Sequence, residues 1–144
     1  MATKIPARVK VISSICDIDE RGYTVGDEER FCEQNDATLT CDAGYVTVKY
    51  TACTEGQSVS TAIITNGNEL TVRRQGAISS VLTFGKDMIY KTLYEIAPYK
   101  FDMAVITESF SANISENGGS ADIVYRMEIG GSARRTHMKI EVTV

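Results

Sequence analysis

Leucine is scarce in this chain: four Leu stand against 26 Val and Ile together, with 15 Thr besides. Helical domains lean on Leu and Ala, whereas β-branched side chains lose rotamer freedom against a helical turn and fit a pleated surface, so the mix argues against a helical bundle. Proline occurs only at Pro6 and Pro98, and neither interrupts an alternating run, as strands that need their N–H groups require. No stretch approaches the ~20 apolar residues of a membrane-spanning helix, so no membrane partner is expected. Met1 to Arg8 lacks an apolar core followed by a cleavage site, and a secretory leader is not expected. No C-x-x-C pair occurs among Cys16, Cys32, Cys41 and Cys53, which removes the usual zinc-site spacing. In a reducing cytosol the four read as free, largely buried thiols. There is a single histidine, His137.

What is present bounds the rest. The 144 residues make one domain spanning 1–144, long enough to bury about two-thirds of the unfolded surface. A net charge of −4 argues against a nucleic-acid partner, and 43% hydrophobic content excludes a disordered chain. A soluble, cytoplasmic globular protein is expected; homo-oligomerisation is left open.

Eleven glycines punctuate the chain at spacings that suit a strand plus its turn. Val9, Val11 and Ile15 share one face of a first strand. Val46, Val48, Tyr50 and Ala52 alternate with Thr47, Lys49 and Thr51. Asn66-Gly67 predicts a type I′ hairpin before the run Leu70, Val72, Arg74. Ile123, Tyr125, Met127 and Ile129 form a strand after Asn117-Gly118-Gly119, and Met138, Ile140, Val142 and Val144 form the last. Between 99 and 116 the apolar phase flips from Phe101, Met103 and Val105 to Phe110, Ala112 and Ile114, which predicts a bulge near Thr107 to Ser109. Residues 86–97 carry both helical and strand spacing, and their aromatic and β-branched content favours strand.

From Tyr45 onward an ordered series of landmarks resembles the YwiB-like family, uncharacterised bacterial proteins with a lipocalin-type (calycin) barrel. The series runs through Tyr50 in VTVKYTA, Arg74-Gln75-Gly76-Ala77 in LTVRRQGA, Phe84 in VLTFG and Tyr90 in MIYKTLY. It continues with Thr107 in FDMAVIT, Gly119 and Tyr125 in GGSADIVY, and the closing HMKIEV. The chain departs from the family at Ala97-Pro98-Tyr99, where a glycine is usual, and at Thr51 and Ala52, where an acidic residue is common. The resemblance implies a closed antiparallel barrel and brings no activity or catalytic residues.

Candidate chemistry is sparse. The segment Asp17 to Asp36 holds eight acids against two arginines, and Asp17, Asp19, Gly22 and Glu28 match positions of a calcium loop. Arg21 stands where that loop needs an oxygen ligand, so the segment reads as a solvated connection between strands and no metal is expected. His137 shares a face with Lys139 and Glu141, and no nucleophile elbow accompanies it. Gly130-Gly131-Ser132-Ala133-Arg134-Arg135 reads as a hairpin loop with exposed charge. Arg74 shares the phase of Leu70 and Val72, so if that face points inward its guanidinium enters a barrel near a rim, in an internal ion pair, as a snorkelling side chain or as an anchor for an anionic head group. Tyr50, Tyr90, Tyr94, Phe101, Met103, Tyr125 and Met127 fall on apolar phases and would line the space beside it.

The expectation is an all-β, lipocalin-like closed antiparallel barrel of eight to ten strands. Its expected role is non-enzymatic binding of a small, partly apolar ligand, with no cofactor. The alternative is a protein–protein interaction module using its surface or a sheet edge.

Overall fold

The computed structural model describes residues 4–54, 56–76, 79–96 and 98–144, and the side chains of 54 and 94–96 lie outside that description. Ten strands follow one another: β1 (Lys4–Ile18), β2 (Thr24–Asp42), β3 (Tyr45–Thr54), β4 (Gln57–Thr65), β5 (Glu69–Gly76), β6 (Ser80–Gly85), β7 (Ile89–Ile96), β8 (Tyr99–Ser115), β9 (Gly118–Ile129) and β10 (Ser132–Thr143). Residues 89–96 are therefore strand, as their composition indicated.

The order β6-β5-β4-β3-β2-β1-β10-β9-β8-β7 is an antiparallel meander in which the first and last strands meet. Their ladder runs from Arg8↔Thr143 to Ile18↔Ala133. The barrel is nearly closed, because its two sheet ends, β6 and β7, are consecutive in the chain and pack side by side without a ladder among the described residues. Three hydrogen bonds fasten this seam at one end. Met88 N–H donates to the Gly85 carbonyl at 3.1 Å, Thr107 N–H to the Met88 carbonyl at 2.9 Å, and Gly85 N–H to Thr107 Oγ1 at 3.4 Å.

Alternation sets which side chains meet inside. Val9, Val48, Ile63, Leu70, Val105 and Ile140 are buried completely or almost so, and their chain neighbours face solvent or the rim. Phase is lost where expected: the β8–β9 register shifts between Thr107 and Ser109, leaving Glu108 as the extra residue. That bulge keeps Met103, Val105 and Thr107 inside on one side of it and Ile114 inside on the other.

Glu108 does not dangle. Its carboxylate accepts from Arg135 Nε at 2.6 Å and Nη2 at 3.2 Å, while Arg135 Nη1 donates to the Gly22 carbonyl at 2.9 Å. The bulge is thus tied through β10 to the β1–β2 turn. The Arg135 hydrogen bond holds the Glu108 carboxyl below the usual carboxylate range, against the opposing pull of burial. A lowered folded pKa means that this stabilisation is present above the unfolded pKa and lost as pH falls through the folded one. Glu108→Gln is expected to cost about 1 kcal/mol at neutral pH in urea unfolding, and to match the wild type in acid below the folded pKa.

Three local expectations need correction. The acidic stretch is not a connection, since residues 24–36 belong to β2; pairing with β1 holds them extended, and their charges sit in water. Asp19 lies in the 19–23 turn, where its Oδ1 accepts from the N–H groups of Arg21 and Tyr23 at 2.9 and 3.0 Å. No group of three potential metal ligands occurs among the described residues. The Asn66-Gly67 turn is not type I′, because only Gly67 has positive φ (93°). Asn66 Oδ1 instead accepts from the N–H groups of Asn68 and Glu69, both at 2.9 Å, and takes over the turn. The I′ pattern appears at Ala43-Gly44 (φ 51° and 83°) and Gly130-Gly131 (φ 55° and 85°), the latter joining β9 to β10 as a hairpin loop. Finally, the cysteines are free but not all buried: Cys16 and Cys41 are partly covered, whereas Cys32 and Cys53 are exposed.

Candidate ligand-binding cavity

The end of the barrel bearing the turns at 43–44, 66–68, 86–88 and 116–117 is filled. Phe84 is fully buried there, its ring 4.6 Å from that of Tyr125. Towards the opposite end the walls separate around a cavity of about 730 Å³, within the range of about 300–1,000 Å³ that holds small molecules. Its floor and sides are Val11, Val72, Leu82, Met103, Tyr125, Met127 and Met138. Polar groups enter from Ser13, Glu33, Arg74, Ser80, Arg134 and Thr136.

The wall has a window. β2 pairs with β3 only from Thr38↔Lys49 to Asp42↔Tyr45. Among the described residues no ladder joins 24–37 to 50–54. Tyr50 Oη spans this gap and donates to Glu33 Oε1 at 2.8 Å. Phe31, two residues along on the same inward phase, lines the cavity and is 55% exposed through the opening.

Electrostatics divide the cavity's groups. Arg74 is half-buried, lines the cavity and has no hydrogen bond or ion pair within 4.0 Å among the described residues, so the internal salt bridge is not formed. Arg134 is committed to Asp17 at 2.9 Å. Burial pushes the Tyr50 phenol up and Glu33 pushes it further, with Arg74 partly offsetting both. Burial also raises the Tyr125 phenol, again against Arg74. Both phenols are therefore neutral donors at physiological pH.

Of the side chains expected to line this space, Arg74, Met103, Tyr125 and Met127 do so. Tyr50 is buried just behind the lining and reaches it through Glu33. Tyr90 is partly buried against the core rather than the cavity, because its partner Val105 lies at the level the core fills. Phe101 is a clear correction: it is 44% exposed, with its ring 6.4 Å from that of Tyr99. β9 pairs with β8 only from Met103 onward, so residues 99–102 project past the barrel with β7 alone. The Tyr94 side chain, Ala77 and Ala97 lie outside the described residues. Glu33, Ser80, Ser13 and Thr136 were missed. For Glu33 the available signal was its shared parity with Leu39 across a long exposed strand, which the acidic composition masked.

Two other places carry less. His137 is exposed beside Asp122 at 2.7 Å, on the outer face with Lys139 and Glu141. An open cleft beyond the cavity mixes Asp17, Arg21, Lys91, Asp102, Arg126, Glu128 and Arg134. Arg126 Nε lies 3.3 Å from Glu128 Oε1 but is buried without an aligned hydrogen bond. With Asp19 and Glu20 also in its lining, five acids face four bases, so it presents no single-sign field.

A ten-stranded antiparallel barrel with one packed end and one hollow, polar-rimmed end defines a cavity-bearing β-barrel protein. Within that class the chain belongs to the family described as Domain of unknown function (DUF1934), which matches residues 19–140. The match starts well before Tyr45 and takes in the β1–β2 turn and all of β2, which the landmark series left out. The crystal structure of the ywiB protein from Bacillus subtilis has the same fold, with a TM-score of 0.78 at 20% identity over 96% of this chain and 92% of that chain. Comparison with functionally curated proteins gives no match. No helix among the described residues is long and apolar enough to cross a membrane.

Proposed function

We propose that this protein binds, without transforming it, a small and partly apolar molecule carrying an anionic group, with the apolar part in the barrel cavity and the anion on Arg74. The observation that supports this reading most directly is an arginine in the wall of a largely apolar cavity with no carboxylate within ion-pair distance among the described residues. A guanidinium beside apolar walls needs acceptors. Half-buried Arg74 is open to solvent, which a ligand anion would replace with a bidentate and less hydrated contact. Non-enzymatic binding accords with phenols pushed upward, away from the near-neutral pKa that acid–base catalysis favours. The exposed thiols of Cys32 and Cys53 suit a reducing compartment, and we infer a cytoplasmic location.

Titration with 8-anilinonaphthalene-1-sulfonate, an apolar anion, is expected to give saturable fluorescence enhancement that dodecanoate reverses. Arg74→Met should weaken both compounds about tenfold to a hundredfold, and Arg74→Lys should recover part of the loss. Absence of binding, or equal binding by Arg74→Met, overturns the reading.

A second reading rests on the edge of β2 over 24–37, which no ladder covers on the β3 side among the described residues and which carries exposed Val25 and Phe31. Such an edge accepts an extended segment of a protein partner. Retention of a stoichiometric partner by the wild type and its loss in Phe31→Lys would favour that reading over the first.

A further inference from the structure

Glu33 and Arg74 line the same cavity, yet they do not meet. Neither has an oppositely charged partner within 4.0 Å among the described residues, and the hydrogen bond of the Glu33 carboxylate is the one accepted from Tyr50 at 2.8 Å. An anion and a cation sharing a half-dry space attract each other strongly and would ordinarily close into a pair. Here they are carried by strands three apart in the sheet order. Glu33 is carried by β2, which parts from β3 above Lys49, whereas Arg74 is carried by β5 and is held in register opposite Thr61 of β4. Tyr50, opposite Thr61 from the other side, stands between them and feels the charge of both. The remaining cation of the lining, Arg134, is already engaged by Asp17.

We infer that the cavity is built for an amphoteric ligand: a molecule with an apolar body whose anionic group meets Arg74 and whose cationic group meets Glu33, as in an α-amino acid with a long apolar side chain. This rests on the binding reading above and narrows its ligand class. Each charge of such a ligand gains a partner that no ion pair of the protein engages among the described residues, and the apolar body covers Val72, Leu82, Met103, Tyr125 and Met138. An anion of equal length satisfies Arg74 alone and brings its tail past an unpaired Glu33. An amine of equal length does the reverse. A site that offers a polar partner discriminates strongly against a ligand lacking the matching group, because the site's own group is then left unpaired.

Three compounds with matched alkyl chains test this by displacement of the fluorescent anion or, independently, by calorimetry: 2-aminododecanoate, dodecanoate and dodecylamine. The expected result is that 2-aminododecanoate binds about tenfold or more tightly than either of the others. In Glu33→Gln that advantage over dodecanoate should vanish while dodecanoate binds at least as well as to the wild type. In Arg74→Met the advantage over dodecylamine should vanish instead. Equal binding of 2-aminododecanoate and dodecanoate to the wild type overturns the amphoteric assignment and leaves the binding reading standing, as does an advantage that survives Glu33→Gln. Failure of all three compounds and of the fluorescent anion overturns both.

Discussion

Replacing Phe84 by alanine is expected to lower the free energy of unfolding by about 3–5 kcal/mol, the range for emptying an aromatic site in a packed core. Phe84 is fully buried on β6, one of the two strands that flank the open seam, with its ring tilted 44° against Tyr125. Seam strands have a ladder on one side only, so less backbone holds the site in place as the void collapses. At roughly 3 °C per kcal/mol for a chain of this size, the melting temperature should fall by roughly 10–15 °C. Tyr125 is also part of the cavity lining, and Phe84 is what backs it. Phe84→Ala should therefore weaken ligand binding as well, whereas Phe84→Leu, which keeps most of the volume, should cost about 1–2 kcal/mol and retain binding. Thermal unfolding together with the fluorescence titration checks both effects. A loss under about 1 kcal/mol for the alanine variant would mean that the core is not packed as described.

Gly119→Ala is expected to cost about 2–4 kcal/mol through a different mechanism. Gly119 pairs with Ile114 on one side and Val142 on the other, so β9 cannot shift there without breaking two ladders. Its φ of 143° lies in a region that L side chains rarely adopt, and an added Cβ would overlap the Asn113 carbonyl oxygen. Strain and collision act together. Gly131→Ala separates them: φ there is 85°, but a Cβ meets nothing within 4 Å, so only the conformational cost of about 1–2 kcal/mol should remain. Urea midpoints for the two variants side by side give the comparison, and equal losses would contradict the collision.

Much of the architecture was legible in the residues because it is written in short-range pattern. Period-two alternation around Val46–Ala52 and Met138–Val142 marks strands, and the same rule exposes the bulge, since a strand cannot change its buried parity without an extra residue. The hairpin at Asn66-Gly67 was legible as a turn but not as a turn type. Side-chain capture of backbone N–H groups by Asn66 competes with the φ pattern that the dipeptide usually adopts. The site was half legible. Arg74, Met103, Tyr125 and Met127 follow from parity alone, but parity does not say how far along the barrel a residue sits. Phe101 has the right parity beyond the last β9 partner and ends in solvent. Glu33 has the right parity in a strand that its acidic surroundings disguised as a loop.

By itself, then, the amino-acid order determined the extended conformation, the inner and outer faces and the break at Thr107 to Ser109, because neighbours two positions apart are enough to specify each. Only the tertiary structure decided that β2 leaves β3 above Lys49, that β6 and β7 form the seam, and that Glu33 and Arg74 face one cavity without touching. Those outcomes depend on how many residues of each strand find partners once the sheet has curled round to join β1 to β10, and that joining brings together residues more than a hundred positions apart.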